Sequence, residues 1–220
     1  MANFSATPDL SLERELFLTN KYVVGIDEVG RGAYAGPVTV GVCIIDSNCT
    51  STPAGLKDSK LLTAVNREKL KPLVEQWAVA TAIGDTEPEE IDALGMTAAL
   101  RLAANRALNS LGLVPDIAIL DGSHNWLTPP TQDLFSDSPL EPEFTGKVIM
   151  KVKADMSCAS VAAASVVAKV HRDGLMRKFE LEYPGYSFSD NAGYGTSAHR
   201  DAIAKLGLTR IHRHSWKLTE

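Results

Sequence analysis

Acidic residues follow three separate apolar stretches of the sequence. Asp27 and Glu28 end the first stretch, Asp121 ends the second, and Asp155 comes three residues after the third. Ligands converge at the ends of neighbouring strands in α/β sheets, so these four carboxylates are candidates for one site. Two charges about 4 Å apart repel by about 4 kcal/mol at an effective dielectric near 20, so such a site needs cations. Oxygen-only ligands favour Mg²⁺ or Mn²⁺ over zinc or copper. Taken singly, each acid is better explained as an ordinary residue beside a turn.

The segment Gly30-Arg31-Gly32 follows the paired acids directly. Neighbouring residues on a regular strand point to opposite faces, so Asp27 and Glu28 can share a site only if the strand ends there. The two glycines allow that ending, and they also permit a ligand to approach the backbone closely. The stretch therefore predicts metal chemistry next to a ligand-binding turn.

Five short apolar runs predict the strands that would position these acids: 22–27, 37–45, 78–84, 116–121 and 147–152. Helices are expected near 12–18, over 67–77 after a Thr63 cap and with a kink or break at Pro72, and over 88–111, 157–182 and 197–206. This order fits a mixed sheet with helices on its faces. Residues 1–220 show no repeat or linker and predict a single domain, with an N-terminal segment over about 1–20 and a C-terminal helical region over about 185–220.

Composition is that of an ordinary globular protein. Hydrophobic residues make up 45% and charged residues 22% of the 220-residue chain, which excludes global disorder. The three cysteines are odd in number and form no CxxC pair, which argues against a disulfide framework and a structural zinc. Charged residues interrupt the N-terminal stretch where a signal peptide needs an apolar core, and no apolar run approaches the roughly 20 residues of a membrane span. We expect a cytoplasmic protein with no membrane association.

The net charge of −5 disfavours a nucleic-acid partner when it is taken alone. Its distribution points the other way, since residues 147–178 hold five lysines and two arginines against two aspartates. A basic C-terminal third can follow a phosphate backbone, or it can simply form solvated helix faces. Charge by itself leaves both interpretations open.

Six segments of the sequence resemble bacterial ribonuclease HII, a type 2 ribonuclease H family. They are GIDEVGRGAYAGPV, KDSKLLT, ILDG, KADMSCASVAAASVVAKVHRD, YPGY and GYGTSAH, and they occur in the family's order over residues 22–214. The resemblance implies a ribonuclease-H-like α/β fold, a five-stranded mixed sheet flanked by helices with a C-terminal helical region. It also implies cleavage of the RNA strand of RNA–DNA hybrids and incision at ribonucleotides embedded in duplex DNA, leaving 3′-hydroxyl and 5′-phosphate ends.

The resemblance also assigns roles to the four acids. Asp27, Glu28, Asp121 and Asp155 match the family's metal-binding and catalytic residues, which implies a two-ion site for Mg²⁺ or Mn²⁺. The implied mechanism is two-metal phosphodiester hydrolysis, which requires no side-chain nucleophile.

Substrate contacts follow from the same resemblance. Gly30-Arg31-Gly32 matches the loop that grips the ribonucleotide 2′-hydroxyl, the group that distinguishes RNA from DNA. Tyr194 matches the tyrosine that works with this loop, and Lys60 matches a position near substrate phosphates. A loop tyrosine packed on the core and a surface lysine are the plain alternatives.

Other residues carry open alternatives. Arg172 and Asp173 are candidates for a family motif or a structural pair at a helix end, and His199 for an active-site residue or a local cap. The segment 212–214 is expected either to meet backbone phosphates or to remain solvated. Trp126 is interpreted as a local packing anchor.

The sequence departs from the family pattern in three places. The stretch around 127–143 lengthens the connection between Asp121 and Asp155 with prolines and acids, and Ser189–Ala192 lacks the histidine and lysine of many relatives. No C-terminal tail for sliding-clamp binding is evident before Glu220. We expect a monomer whose partners are RNA–DNA hybrid and ribonucleotide-containing duplex DNA. The rival hypotheses are ribonuclease HIII, which usually adds an N-terminal substrate-binding domain, and a non-catalytic hybrid-binding module.

Overall fold

A five-stranded sheet forms the centre of the computed structural model, which describes residues 7–129, 142–216 and 218. The strands are β1 (Val23–Val29), β2 (Val38–Ile45), β3 (Ala80–Thr86), β4 (Ile117–Asp121) and β5 (Lys147–Lys151). All five lie where the apolar runs predict them, to within two residues at each end.

The sheet is mixed, in the order β3-β2-β1-β4-β5. The β2 strand pairs antiparallel with β1 and with β3, whereas β4 pairs parallel with β1 and with β5. The carboxyl ends of β1, β4 and β5 therefore meet at one edge of the sheet. This is the edge that bears the acidic residues, so the expected convergence of strand ends is confirmed.

Eight helices surround the sheet in the described part of the chain. They are α1 (Ser11–Leu16), α2 (Ala64–Trp77), α3 (Pro88–Leu94), α4 (Met96–Ser110), α5 (Ala154–Ser157), α6 (Ala159–Glu182), α7 (Phe188–Asn191) and α8 (Ser197–Leu206). Short 3₁₀ turns cover Ser59–Leu61 and His214–Trp216. None of the helices in these residues is long and apolar enough to cross a membrane.

Two helix predictions need correction, and a third is confirmed. The single helix expected over 88–111 is divided at Gly95, which adopts a φ of 76° that a helix interior does not permit. The helix expected over 157–182 is confirmed as α6, which begins two residues later, at Ala159, because the backbone of Cys158 is extended. Pro72 does not break α2, because it is exposed and the carbonyl it leaves unbonded can be solvated. The predicted cap of that helix is confirmed, since the Thr63 hydroxyl accepts a hydrogen bond from the Asn66 N–H at 3.3 Å.

Two apolar layers cover the two faces of the sheet, one beneath α6 and the other beneath α4. The small residues of α6 let it lie close to β1 and β2. A Cβ on Gly25 would be 2.2 Å from the Ser160 carbonyl carbon, and one on Gly41 would be 2.4 Å from the Ala164 oxygen. Glycine is therefore required at both strand positions by the proximity of the helix.

A third apolar cluster supports the C-terminal helical region. It includes Met176 of α6, Phe188 of α7 and Ile203 of α8. Two isolated bridges, Ala33 to Tyr194 and Ala35 to His212, join this region to the segment between β1 and β2. The C-terminal region thus lies against the segment that follows the paired acids.

Candidate active site

The first two acids lie within β1. Asp27 is only 4% exposed, and Glu28 is partly buried. We expected the strand to end at this point, and that expectation is wrong, because β1 stays paired with β2 as far as Val29. On the other side, the pairing of β1 with β4 stops at Ile26 and Leu120. Asp27 and Glu28 are therefore the first residues of β1 that no longer pair with β4.

The other two acids lie at the ends of β4 and β5. Asp121 is the last residue of β4, and its Oδ1 accepts a hydrogen bond from the Ala154 N–H at 2.8 Å. Lys153, with a left-handed φ of 59°, turns the chain after β5 so that α5 starts at Ala154. Asp155 in the first turn of α5 is 5% exposed. The Asp121 carboxylate thus anchors the start of α5, the helix that carries Asp155.

The four acids influence one another electrostatically. Burial raises the pKa of Asp27 well above its ordinary value, and the charges of Glu28, Asp121 and Asp155 raise it further. Burial also raises the pKa of Glu28, with Asp121 adding to the rise, although Arg31 opposes it. The pKa of Asp121 is raised by burial and then by Asp155. Carboxylates that disfavour each other's charge in this way attract cations.

Lys60 provides the local positive charge. Its Nζ lies 3.0 Å from Asp155 Oδ2, while 65% of its side chain is exposed. Burial alone would lower the pKa of Lys60, but the hydrogen bond to Asp155 and the charges of Asp27 and Asp58 raise it overall. The residue expected near substrate phosphates therefore contacts an acid of the candidate metal site.

The donor set suits a hard divalent cation in its chemistry. All four side chains offer carboxylate oxygens, which Mg²⁺ and Mn²⁺ prefer. Within the described residues, no group of three or more His, Cys, Asp or Glu side chains is arranged so that it could hold a metal ion as it stands. Ion binding here therefore requires these carboxylates to lie closer together than they do in this structure, and the ammonium of Lys60 competes with an ion for Asp155.

The glycine-flanked loop lies directly beside these acids. The Gly30 N–H donates to the Tyr194 hydroxyl at 3.2 Å, and Arg31 Nη1 lies 3.4 Å from Glu28 Oε1. The Tyr194 side chain is partly accessible, at 37% exposure. The structure thus brings together the acids, the loop and the tyrosine, which are separated by up to 167 residues in the sequence.

Two buried arginines hold the segment that contains this loop. Arg172 and Arg213 are both 0% exposed. Arg172 donates to the carbonyl oxygens of Ala35, Pro37 and Ala192 at 2.8–3.0 Å, and Arg213 donates to those of residues 30, 31 and 36 at 2.6–3.1 Å. Sequence reasoning missed this role, because an arginine that binds only carbonyl groups has no acidic partner to give a pattern.

A pair of buried histidines lies behind Tyr194. The Nε2 atoms of His199 and His212 are 3.1 Å apart, and His199 Nδ1 lies 3.0 Å from the Tyr194 carbonyl oxygen. Burial lowers the pKa of both imidazoles, that of His212 to about 4. The expectation that segment 212–214 meets phosphates or is solvated is wrong for His212 and Arg213, which are fully buried. The alternative of a local structural role for His199 is confirmed.

The remaining candidates are structural. Asp173 pairs with Arg67 at 3.2 Å and Lys169 at 2.6 Å, so it does not pair with Arg172. Trp126 is 2% exposed and packs in the core, which confirms its interpretation as an anchor. Most of the proline- and acid-rich stretch lies outside the described residues.

The unusual stretch before Gly193 also has a structural role. Asn191 Nδ2 donates to the Tyr186 carbonyl oxygen at 2.7 Å, and Asn191 Oδ1 accepts from the Gly193 N–H at 2.7 Å. The side chain is nearly buried and shapes the turn that leads to Tyr194. The departure from the family pattern therefore supports the position of the tyrosine.

Comparison with known proteins gives consistent similarities. A family described as ribonuclease HII matches residues 24–219. The chain is 46% identical over 211 residues to a ribonuclease HII of Streptomyces avermitilis, covering 95% of this chain and 83% of that protein. It is 40% identical over 205 residues to a ribonuclease HII of Thermus thermophilus, covering 92% of this chain and 89% of that protein.

Solved structures share the fold. Ribonuclease H2 of Pyrococcus horikoshii superposes with a TM-score of 0.67 at 28% identity, covering 90% of this chain and 94% of the other. Bst-RNase HIII in complex with Mn²⁺ superposes with a TM-score of 0.61 at 20% identity, covering 90% and 68%. The expected fold class, with its five-stranded mixed sheet flanked by helices, is confirmed.

Proposed function

Because the chain belongs to the ribonuclease HII family, we propose that Asp27, Glu28, Asp121 and Asp155 are its catalytic centre. The protein is a ribonuclease H, an endoribonuclease that acts on RNA–DNA hybrids. One observation carries the site proposal. Four mutually repelling carboxylates, two buried and two partly buried, lie near the ends of three parallel strands, beside the only Gly-Arg-Gly sequence of the chain.

We propose that these acids hold divalent cations, Mg²⁺ or Mn²⁺, in a two-ion site. One structural relative, Bst-RNase HIII, is described as a complex with Mn²⁺. When bound, such ions activate the attacking water and stabilise the leaving 3′-oxygen. The chain's own residues have the other tasks. The carboxylates would hold the ions. The Lys60 ammonium, once it is released from Asp155, would be free to pair with the scissile phosphate.

Recognition of the ribonucleotide is proposed for Gly30-Arg31-Gly32 and Tyr194. The hydrogen bond from the Gly30 N–H to the Tyr194 hydroxyl holds the two elements together at 3.2 Å. A 2′-hydroxyl is both a donor and an acceptor, so it can bond to backbone groups and to a phenol at once. Because Glu28 is only two residues before Gly30, the recognised sugar and the cleaved bond are held at a fixed separation.

The proposed substrates include duplex DNA that carries single ribonucleotides as well as RNA–DNA hybrid. Cleavage of the bond between phosphorus and the 3′-oxygen would give 5′-phosphate and 3′-hydroxyl ends. We further propose that the protein acts as a monomer in the cytoplasm. The ribonuclease HII family model matches residues 24–219, which favours this assignment over ribonuclease HIII.

Incision of a defined duplex tests the proposed function. Duplex DNA with one embedded ribonucleotide, the same duplex without it, and an RNA–DNA hybrid are incubated with the protein, with and without Mg²⁺. We expect metal-dependent cutting of the first and third substrates, and loss of cutting in Asp27→Ala. Glu75→Ala, which alters an exposed acid of α2, is the matched control and should cut normally. Binding without incision would support the hybrid-binding module instead, and full activity of Asp27→Ala would refute the site.

A further inference from the structure

Arg213 has an unusual set of partners. Its Nη2 donates to the Gly30 carbonyl oxygen at 2.6 Å, and its Nη1 donates to the Arg31 carbonyl oxygen at 2.9 Å. A third bond from Nη2 reaches the Gly36 carbonyl oxygen at 3.1 Å. The planar guanidinium fork thus binds two successive carbonyl groups of the loop from behind, an arrangement that a lysine cannot reproduce.

The same two peptide units carry unused donors on their other side. The Gly30 carbonyl belongs to the peptide unit of the Arg31 N–H, and the Arg31 carbonyl belongs to that of the Gly32 N–H. Within the described residues, neither of these N–H groups donates to a protein acceptor. Arg31 and Gly32 are both exposed, so their N–H groups are accessible to an oxygen atom of a bound substrate.

The charge of Arg213 is directed to these peptide units rather than to a carboxylate. No acid in the described part of the chain lies within ion-pair distance of it. The nearest acidic influence is that of Asp92, whose carboxylate accepts hydrogen bonds from the backbone N–H groups of His214 and Ser215 at 2.8 and 3.2 Å. Burial and the neighbouring Arg172 lower the pKa of Arg213 to about 9, so the guanidinium remains charged at neutral pH.

A hydrogen bond to one end of a peptide unit strengthens the donor at its other end, because the unit is polarised. A charged donor has a larger effect than a neutral one. We propose that Arg213 is a positioning residue for ribose recognition, which orients and polarises the peptide units whose Arg31 and Gly32 N–H groups bind the 2′-oxygen of the ribonucleotide. This proposal rests on the proposed function of the loop.

Glu13 provides a control for lost stability. Its side chain is equally buried, and its Oε1 accepts hydrogen bonds from the Ser160 N–H and hydroxyl at 2.9 and 2.8 Å. Arg172 is unsuitable as a control, because it lies against Gly30 and over the Tyr194 ring. Replacing Glu13 removes buried hydrogen bonds without altering the proposed donors.

Binding without catalysis tests the proposal. Dissociation constants are measured in EDTA for a DNA duplex with one ribonucleotide and for the identical all-DNA duplex. Their ratio isolates the 2′-hydroxyl, because the phosphates are common to both. In Arg213→Lys we expect the ratio of the all-DNA value to the ribonucleotide value to fall by roughly fivefold. A change of this size corresponds to losing the net contribution of one typical hydrogen bond. Glu13→Ala should also lose thermal stability and keep the wild-type ratio.

Each other outcome has a definite meaning. A wild-type ratio of one would refute ribose recognition by the loop, and with it this part of the proposed function. A normal ratio with unchanged affinities in Arg213→Lys would show that the arginine only stabilises the fold, and a normal ratio with both affinities weakened equally would show that the N–H groups bind phosphate. Either result overturns the role of Arg213.

A spectroscopic measurement on the wild type covers the case in which Arg213→Lys does not fold. The amide proton resonances of Arg31 and Gly32 are followed by NMR as each duplex is added without metal. Both should move downfield with the ribonucleotide-containing duplex and not with the all-DNA duplex. Identical responses to the two duplexes would refute the assignment of these donors.

Discussion

Replacing Gly30, the first glycine of the proposed recognition loop Gly30-Arg31-Gly32, by alanine should destabilise the whole protein. Gly30 has a φ of 85°, in the left-handed region that residues with a Cβ rarely adopt. A Cβ at this position would lie 2.1 Å from Nε and 2.6 Å from Cζ of Arg172. That guanidinium cannot easily move, because it is fully buried and holds three carbonyl oxygens.

The size of the effect follows from these two contributions. The left-handed backbone costs an alanine about 1–2 kcal/mol. Forcing a methyl group into a packed interior costs about 1–3 kcal/mol more. The sum of about 2–5 kcal/mol, at about 2–4 °C per kcal/mol for a chain of this size, corresponds to a melting temperature lower by about 10 °C.

The second glycine of the loop supplies the control. Gly32 has no left-handed φ, and a Cβ there would meet no atom within 4 Å. Gly32→Ala should therefore change the free energy of unfolding by less than about 0.5 kcal/mol. It should still impair incision, because the methyl group would stand where the sugar approaches the backbone.

Thermal denaturation and incision kinetics on a single-ribonucleotide duplex separate the two variants. Gly30→Ala should melt early, whereas Gly32→Ala should melt normally and show a higher KM. A Gly30→Ala protein that melts within about 2 °C of the wild type would refute the packing against Arg172, since about 2 kcal/mol is the smallest cost expected. A fully active Gly32→Ala protein would refute close approach of substrate to this glycine.

Three further predictions concern charged residues. Asp27→Asn should abolish incision. It should also raise the free energy of unfolding at neutral pH, because burial and repulsion raise the pKa of Asp27 in the folded state. Urea titrations should show that this gain in stability vanishes below about pH 4, where the Asp27 carboxyl is protonated in both the folded and the unfolded state. Lys60→Gln should lower the Mg²⁺ concentration for half-maximal incision, because no ammonium then competes for Asp155, and a higher Mg²⁺ requirement would contradict this. Glu13→Ala should lower the free energy of unfolding by about 1–3 kcal/mol in urea titrations, because the N–H and hydroxyl of Ser160 lose their buried acceptor, and an unchanged midpoint would refute that cost.

The sheet was predictable from sequence because its strands are short apolar runs that end in polar residues. The helix boundaries were less predictable, since Gly95 ends one helix and starts another with no loss of apolar period on either side. Similarly, Pro72 is compatible with a helix only because it faces solvent. Which side of a helix faces solvent depends on the tertiary packing. Periodicity identifies which residues are apolar, and it does not show which face a neighbouring element will cover.

The acids and the loop could be proposed from sequence because each belongs to a local pattern. The residues that hold the loop in place form no such pattern. Arg213 lies 181 residues after Gly32 and binds only carbonyl groups, which every residue possesses. When a buried arginine binds only backbone carbonyl groups, its sequence neighbourhood looks the same as that of an exposed arginine.

The recognition loop is therefore defined by the C-terminal region as much as by its own three residues. Arg172 fills the space that a side chain at Gly30 would need, and the Gly30 N–H donates its hydrogen bond to the Tyr194 hydroxyl. Arg213 binds the carbonyl groups of Gly30 and Arg31, and the N–H groups of Arg31 and Gly32, which have no acceptor among the described residues, are left to bind a ligand. Glycine alone would make this loop flexible, and a flexible loop would lose entropy on ordering around a single hydroxyl group. Two buried guanidiniums remove that cost before the substrate arrives, and this preorganisation supports the proposal that a loop of three residues distinguishes one sugar oxygen.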